Sequence, residues 1–338
     1  MNEKVLKQSL IYAIVLLNIV FAQDIHFSQY NGSPLNLSPG LCGFFDGDYR
    51  FNAAFRKQWV AVPVPYTTVS MSAEGKYKLK KTTDVLAYGL LFNNDKAGDA
   101  IYTLNQLYLF GAYQTKLSSD STLLMSIGLS TGYVNNAFNY ARMTFDSQFD
   151  GLQYNANAAT NENFSRTSLH YFDFNLGTAF KYIVNQKMDF TYALSFNHFT
   201  NPVITYYANT SSKLDTKIIN YLNAKIPIQR NLFILPELYI AFQGKYKEII
   251  PGAQLSYWAD PLNDIYVRGG LYFRTQDAFI VRAGLDYQNT FFGMSYDVNI
   301  SRFTPATNNR GGFEMYVIHV LRTAKTYLNK KKPCPVFL

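Results

Sequence analysis

From about Tyr49 onward, polar and apolar residues alternate with a period of two, in segments of about ten residues separated by turn-forming stretches. In Phe292–Ser301 one face carries Phe292, Met294, Tyr296, Val298 and Ile300, and the other carries Gly293, Ser295, Asp297, Asn299 and Ser301. Ala278–Gln288 sets Phe279, Val281, Ala283, Leu285 and Tyr287 against Ile280, Arg282, Gly284, Asp286 and Gln288. Phe172, Phe174, Leu176 and Phe180 likewise oppose Asp173, Asn175, Gly177 and Lys181. A helix, with its period of 3.6, would scatter these apolar positions around its circumference. The chain is therefore read as all-β.

Alternation alone fits a soluble sandwich as well as a membrane barrel. Composition and loop length separate the two. The chain has 27 Tyr and 27 Phe but only 16% charged residues, and aromatics both favour strands and collect in girdles at the interfaces of membrane barrels. Strands are expected near 49–59, 66–78, 83–93, 102–115, 121–136, 168–182, 187–199, 217–229, 231–242, 247–258, 263–274, 277–288, 290–301 and 312–323. Every second connection is then short: Leu79–Thr82, Lys116–Asp120, Ile183–Gln186, Arg230, Ala259–Leu262 and Asn289. The other set contains every long one: Ala137–Thr167, Thr200–Thr216 and Phe303–Gly311. Short periplasmic turns alternating with longer outside loops are the pattern of an outer-membrane barrel with both termini in the periplasm. The expected fold is a transmembrane, antiparallel, up-and-down β-barrel of about fourteen strands. Pro227, Pro236 and Pro251 make the strands around 217–258 the weakest part of this reading, because proline removes a ladder hydrogen bond.

Lys4 and Lys7 precede the apolar stretch Leu10–Ala22, with small residues Val20 and Ala22 before Gln23. This reads as an export signal over 1–22, too short to span a bilayer as a helix, with cleavage before Gln23. Residues 23–48, rich in Gly, Pro, Asn and Ser, form a periplasmic or lumenal segment that is a candidate to fill the barrel. The barrel covers 49–324, and 325–338 make a basic periplasmic tail containing Lys330, Lys331 and Lys332. The tail is either a solvated end or a contact for an acidic partner. Cys42 and Cys334 both fall on the periplasmic side, an oxidising compartment where a bridge between them could persist.

The net charge is +8, but no basic helix or recognition motif accompanies it, so nucleic acid is not an expected partner. His26, His170, His198 and His319 lie far apart, and the sequence holds no phosphate-binding loop, nucleophile elbow or paired metal motif. No catalytic residue, metal or cofactor is expected. Two groups of residues stand out instead. Arg50, Arg56, Arg268, Arg274, Arg282 and Arg302 share polar faces with Asp173, Asp286, Asp297 and Glu314, and are expected inside the barrel. There they either pair or set the selectivity of a pore; pairing is favoured, since an unpaired buried charge is costly. The longest outer loop carries Tyr140, Phe145, Phe149, Tyr154 and Phe164 among Asn and Asp residues, a mixture that protein-binding surfaces enrich. The same rings would equally serve to pack on one another and close the barrel mouth.

Specific stretches resemble the PorP/SprF family. Gln23-Asp24-Ile25-His26-Phe27-Ser28-Gln29-Tyr30 followed by Ser33-Pro34-Leu35-Asn36-Leu37-Ser38-Pro39-Gly40 is similar to its opening, as is Gly47-Asp48-Tyr49-Arg50 running into Arg56-Lys57-Gln58-Trp59. Tyr296-Asp297-Val298-Asn299-Ile300-Ser301, Pro305-Ala306-Thr307 and Arg310-Gly311-Gly312-Phe313-Glu314 resemble its last hairpin, and the Lys-rich ending on Cys334-Pro335 resembles its close. The departures are Gly40 and Cys42, in a stretch that in the family usually reads Asn-Pro-Ala-hydrophobic-Ala-Gly. The resemblance implies an outer-membrane barrel of the Bacteroidetes type IX secretion system. Its expected partners are outer-membrane lipid, exported cargo such as adhesins and gliding-motility proteins, and other components of the apparatus. A passive channel or hydrophobic-solute transporter is the alternative.

Overall fold

The computed structural model describes residues 25–59, 64–80, 82–98, 100–208, 211–301 and 304–323. The export signal, Arg302 and the tail with Cys334 lie outside the described residues.

Among the described residues there are fourteen strands: β1 (Tyr49–Gln58), β2 (Tyr66–Lys78), β3 (Val85–Ala97), β4 (Tyr102–Lys116), β5 (Leu123–Ala137), β6 (Ser168–Asn185), β7 (Met188–Asn197), β8 (Lys217–Gln229), β9 (Leu232–Gln243), β10 (Tyr246–Asp260), β11 (Ile265–Arg274), β12 (Ala278–Tyr287), β13 (Thr290–Asn299) and β14 (Arg310–Leu321). Each expected strand corresponds to one of these, with its ends moved by a few residues. Every strand pairs antiparallel with its chain neighbours, and β1 pairs with β14 from Tyr49↔Leu321 to Gln58↔Gly312. That last ladder closes the barrel and leaves no sheet edge.

The period-two pattern decides which side each residue faces. Met71, Tyr88, Leu90, Leu107, Leu109, Ile127, Leu129, Phe172, Val281 and Met294 are all exposed on the outside, while Ser72, Asn93, Ser130, Asp173, Arg282 and Ser295 between them are buried. So wide an apolar belt suits hydrocarbon rather than water. Tyr49, Tyr77, Tyr113, Tyr182, Tyr257 and Tyr287 stand exposed where their strands meet one rim, the girdle expected of amphipathic rings at an interface. This is a membrane β-barrel.

The rim with the tyrosine girdle carries the short turns, such as 186–187, 230–231 and 288–289. The opposite rim carries 138–167, 198–216 and 300–309. The three prolines are accommodated where a ladder is interrupted. Pro236 of β9 faces β8 at a gap in pairing between Asn223↔Glu237 and Ile226↔Ile234. Pro251 of β10 precedes the first β10–β11 pair, Gly252↔Tyr272. Pro227 borders a register shift near the end of β8. In each case the missing N–H coincides with a local break in the ladder to one neighbour.

The lumen is not open. Residues 25–48 run inside the strand ring in three single helical turns, Tyr30–Gly32, Pro34–Leu37 and Pro39–Leu41, and leave at the short-turn rim, where Asp48 leads into β1. Tyr30, Leu37 and Leu41 form one apolar core with Ala193, Ile219, Tyr221, Tyr239 and Ile250 of the wall. Leu35 and Cys42 form a second with Leu91, Tyr108, Phe110 and Val134, and Phe27 packs with Ala54 and Tyr316. The barrel interior is thus packed against its own N-terminal segment, referred to below as the plug.

Candidate functional site

Tyr30 is held in a cage. Its ring stacks on Tyr239 at 5.0 Å and meets Tyr221 and Tyr272 edge-on at 5.8 and 6.4 Å. The Arg282 guanidinium lies 4.6 Å over the Tyr30 ring and 3.5 Å over that of Tyr272. A desolvated cation–π contact of this kind is worth about 2 kcal/mol. Arg282 also ion-pairs with Glu237 at 3.1 Å and donates to the carbonyl of Ser28. One arginine of the wall therefore reads both a ring and a backbone carbonyl of the plug.

Around Ser28 the segments similar to the PorP/SprF family meet in space. The amides of Ser28 and Gln29 donate to the two carboxylate oxygens of Glu314 at 2.5 and 2.8 Å. The Ser28 hydroxyl donates to Asp297 at 2.5 Å and accepts from Arg56 at 3.0 Å and from Arg274 at 2.5 Å. Arg56 pairs with Glu314 and Asp297, and Arg274 with Asp297, Glu248 and Asp277. Arg56, Arg274, Asp297, Glu248 and Glu314 are all buried. Charges so deep persist only when paired and hydrogen-bonded, and the plug supplies part of that satisfaction.

Further along, the plug backbone presses into the wall. A Cβ on Gly128 would stand 2.1 Å from the Pro39 carbonyl oxygen, and one on Gly177 would stand 2.2 Å from Ser38 Oγ. Only glycine permits this approach. The Ser195 hydroxyl donates to the Leu37 carbonyl at 2.8 Å, and Asn36 and Asn93 exchange amide hydrogen bonds. At the exit, Arg50 pairs with Glu74 at 2.8 Å, and Glu74 accepts from the Gly43 amide at 2.9 Å.

The interior charges named from sequence resolve as follows. Arg56 meets Asp297 and Glu314 in one cluster, whereas Arg268 and Asp286 form a separate pair at 2.6 Å near the short-turn rim. Arg282 meets Glu237, and Arg50 meets Glu74, two acids the sequence reading did not single out. Among the described residues Asp173 pairs with no arginine. It accepts from Tyr108 at 2.6 Å and lies 2.8 Å from His198 Nδ1. Cys42 is fully buried beneath the plug turn, and Cys334 lies outside the described residues.

The five aromatics of the long loop divide into two sets. Tyr140, Phe145 and Phe164 gather with Phe138 and with Tyr206 and Tyr207 of the 198–216 loop at centroid distances of 4.8 to 5.8 Å. Ser165 donates to the Tyr206 carbonyl through both its amide and its hydroxyl, and Tyr207 donates to Glu162, so the two loops form one cap. Phe149 and Tyr154 instead flank a miniature hairpin with Leu152, 93% exposed, at its tip. Asp150 accepts the Gln153 and Leu152 amides at 2.8 Å each, which holds its carboxyl below the usual range and fixes the turn.

Among solved structures, the monoaromatic hydrocarbon channel CymD is similar over 90% of this chain and 95% of its own, with a TM-score of 0.50 and 7% identity. The toluene transporter TodX of P. putida gives 0.47 and 8% identity, over 85% and 93% of the two chains. At these identities the likeness concerns the fold alone. No curated protein matches. The family model "Type IX secretion system membrane protein PorP/SprF" matches residues 19–318. With nearly the whole barrel and its plug inside that match, the chain belongs to the PorP/SprF family of type IX secretion system membrane proteins.

Proposed function

We propose that this protein is a plugged outer-membrane barrel that binds exported proteins at its long-loop rim, and so assists their export or attachment at the surface. The cargo would be adhesins or gliding-motility proteins of a Bacteroidetes cell. Both termini would lie in the periplasm, with the loops outside. The observation that carries this reading is the plug: a lumen filled by Tyr30, Leu35, Leu37 and Leu41 and latched by buried ion pairs leaves the rim as the surface for recognition. Support comes from the exposed Phe149, Leu152 and Tyr154, standing on a fixed turn above a packed aromatic base. Rigid aromatic anchors amid polar neighbours are what protein interfaces use.

The test is deletion of Tyr140–Asn163 in the native chromosome. The barrel should still insert, because strands and short turns are intact, while one or a few secreted proteins lose surface display. If deletion of the whole gene leaves every surface and secreted protein at its normal level, the secretion reading fails and solute transport takes its place.

A further inference from the structure

At the short-turn mouth, between the plug and the inner faces of β2–β6, lies a cleft of about 350 Å³, at the lower end of the range for ligand sites. Phe44, Val85, Leu124 and Ile183 give it apolar walls, and Lys76, Lys116 and Lys181 also line it. Two of the nearby acids make their close contacts outside the cleft, and a third holds one of its lysines. Asp84 accepts from Tyr113 and Thr115, both at 2.8 Å, and the Asp46 side chain, 84% exposed, turns to Arg322. Asp189 pairs with Lys181 at 3.5 Å, and among the described residues no carboxylate reaches Lys116. The floor is rigid. Arg50 and Lys76 lie over the Phe45 ring at 4.5 and 4.4 Å, Lys76 donates to the Phe45 carbonyl, and Gln114 donates to the Cys42 carbonyl at 2.8 Å.

We infer that this cleft binds a short segment of a partner protein that carries one or two carboxylates beside a bulky apolar side chain. The carboxylates meet Lys116 and Lys76, and the apolar group rests on Phe44, Val85, Leu124 and Ile183. Charge complementarity selects an anion, because the lysines lining the cleft outnumber its acids. Placement selects a peptide over a lipid headgroup. The wall residues occupy inward-facing positions and the plug forms the floor, so the cleft opens along the barrel axis and not toward the bilayer. It lies on the rim opposite the long loops, so its test is independent of the cargo-binding reading.

The experiment places a benzophenone amino acid at Thr83, on the cleft edge, in the full-length chain in intact cells. After illumination, the adduct is mapped by mass spectrometry. A synthetic peptide of the mapped segment is then titrated onto the purified barrel in detergent. The expected result is a protein adduct through a segment holding Asp or Glu next to a large apolar residue. Its affinity should fall about ten-fold or more for Lys116→Glu, persist for Lys116→Arg and weaken with salt. Lys116 is exposed and, among the described residues, holds no ion pair, so the folded barrel's heat-modifiable gel mobility should not change. Absence of a protein adduct, an adduct on lipid, a mapped segment without carboxylates, or equal binding to Lys116→Glu would each overturn the proposal.

Discussion

The closest approach of plug to wall is the contact of Gly177 with Ser38 and Gly128 with Pro39, and it gives the most local test of what the plug does. Gly177→Leu should leave a folded barrel, since β6 keeps both its ladders, but its side chain needs the space of Ser38. The plug should then become cleavable by protease in the purified protein, whereas the wild-type plug stays protected. Unchanged protection would mean that the plug re-seats elsewhere. Glu314→Gln tests the latch instead. It removes a charge from a buried cluster and leaves Arg56 without its nearest anion, a defect that costs about 3–5 kcal/mol in urea unfolding. Residue-scale chemistry was only partly legible. Arg56, Arg282 and Asp297 stand on polar faces and are readable as interior charges. Their partners are set by geometry across the lumen: Arg282 of β12 reaches Glu237 of β9, and nothing in either strand announces the other. The inward tyrosines Tyr108, Tyr221, Tyr239, Tyr272 and Tyr316 were missed for a related reason. Periodicity tells which residues share a face, and a tyrosine suits a lipid interface and a dry core alike.

At the scale of strands and loops, faces and lengths carry the predictions. Tyr296 is 44% exposed on the outer face of β13 and Ser295 is 3% exposed on the inner one. Arg at Tyr296 should cost about 2–4 kcal/mol of folding free energy in lipid if the site lies near the bilayer midplane. Arg at Ser295 should perturb plug protection before it perturbs insertion, and equal insertion defects would mean that the outer face is not in hydrocarbon. Sidedness is checked by single cysteines. One in 138–167 should react with an impermeant maleimide on whole cells, and one in 186–187 only after the outer membrane is opened. The elements themselves were almost wholly readable, because alternation and loop length are one-dimensional signals. The doubt around 217–258 came from applying the proline rule to a uniform ladder. Pro236 and Pro251 instead stand where pairing with one neighbour lapses, as across from Ala224 and Lys225, while the ladder to the other neighbour is kept.

For the whole molecule, the filled lumen predicts that purified protein in a planar bilayer is electrically silent. A chain lacking residues 25–44 should conduct, because Arg56, Arg274, Arg282, Glu248 and Glu314 would then line a wetted passage. Steady conductance by the intact protein would point to a transporter. The amides of Ser28 and Gln29 depend on Glu314, which lies 286 and 285 positions away in the last strand. That strand is also the one whose pairing with β1 seals the ring. The plug, near one end of the chain, is therefore held by the strand nearest the other. Without β14 the sheet would keep an unsatisfied edge and the plug would lack the Glu314 anchor, so one strand answers both needs. Seating the plug and closing the ring are accordingly one structural event seen from two sides, since a single strand holds both the latch and the seam.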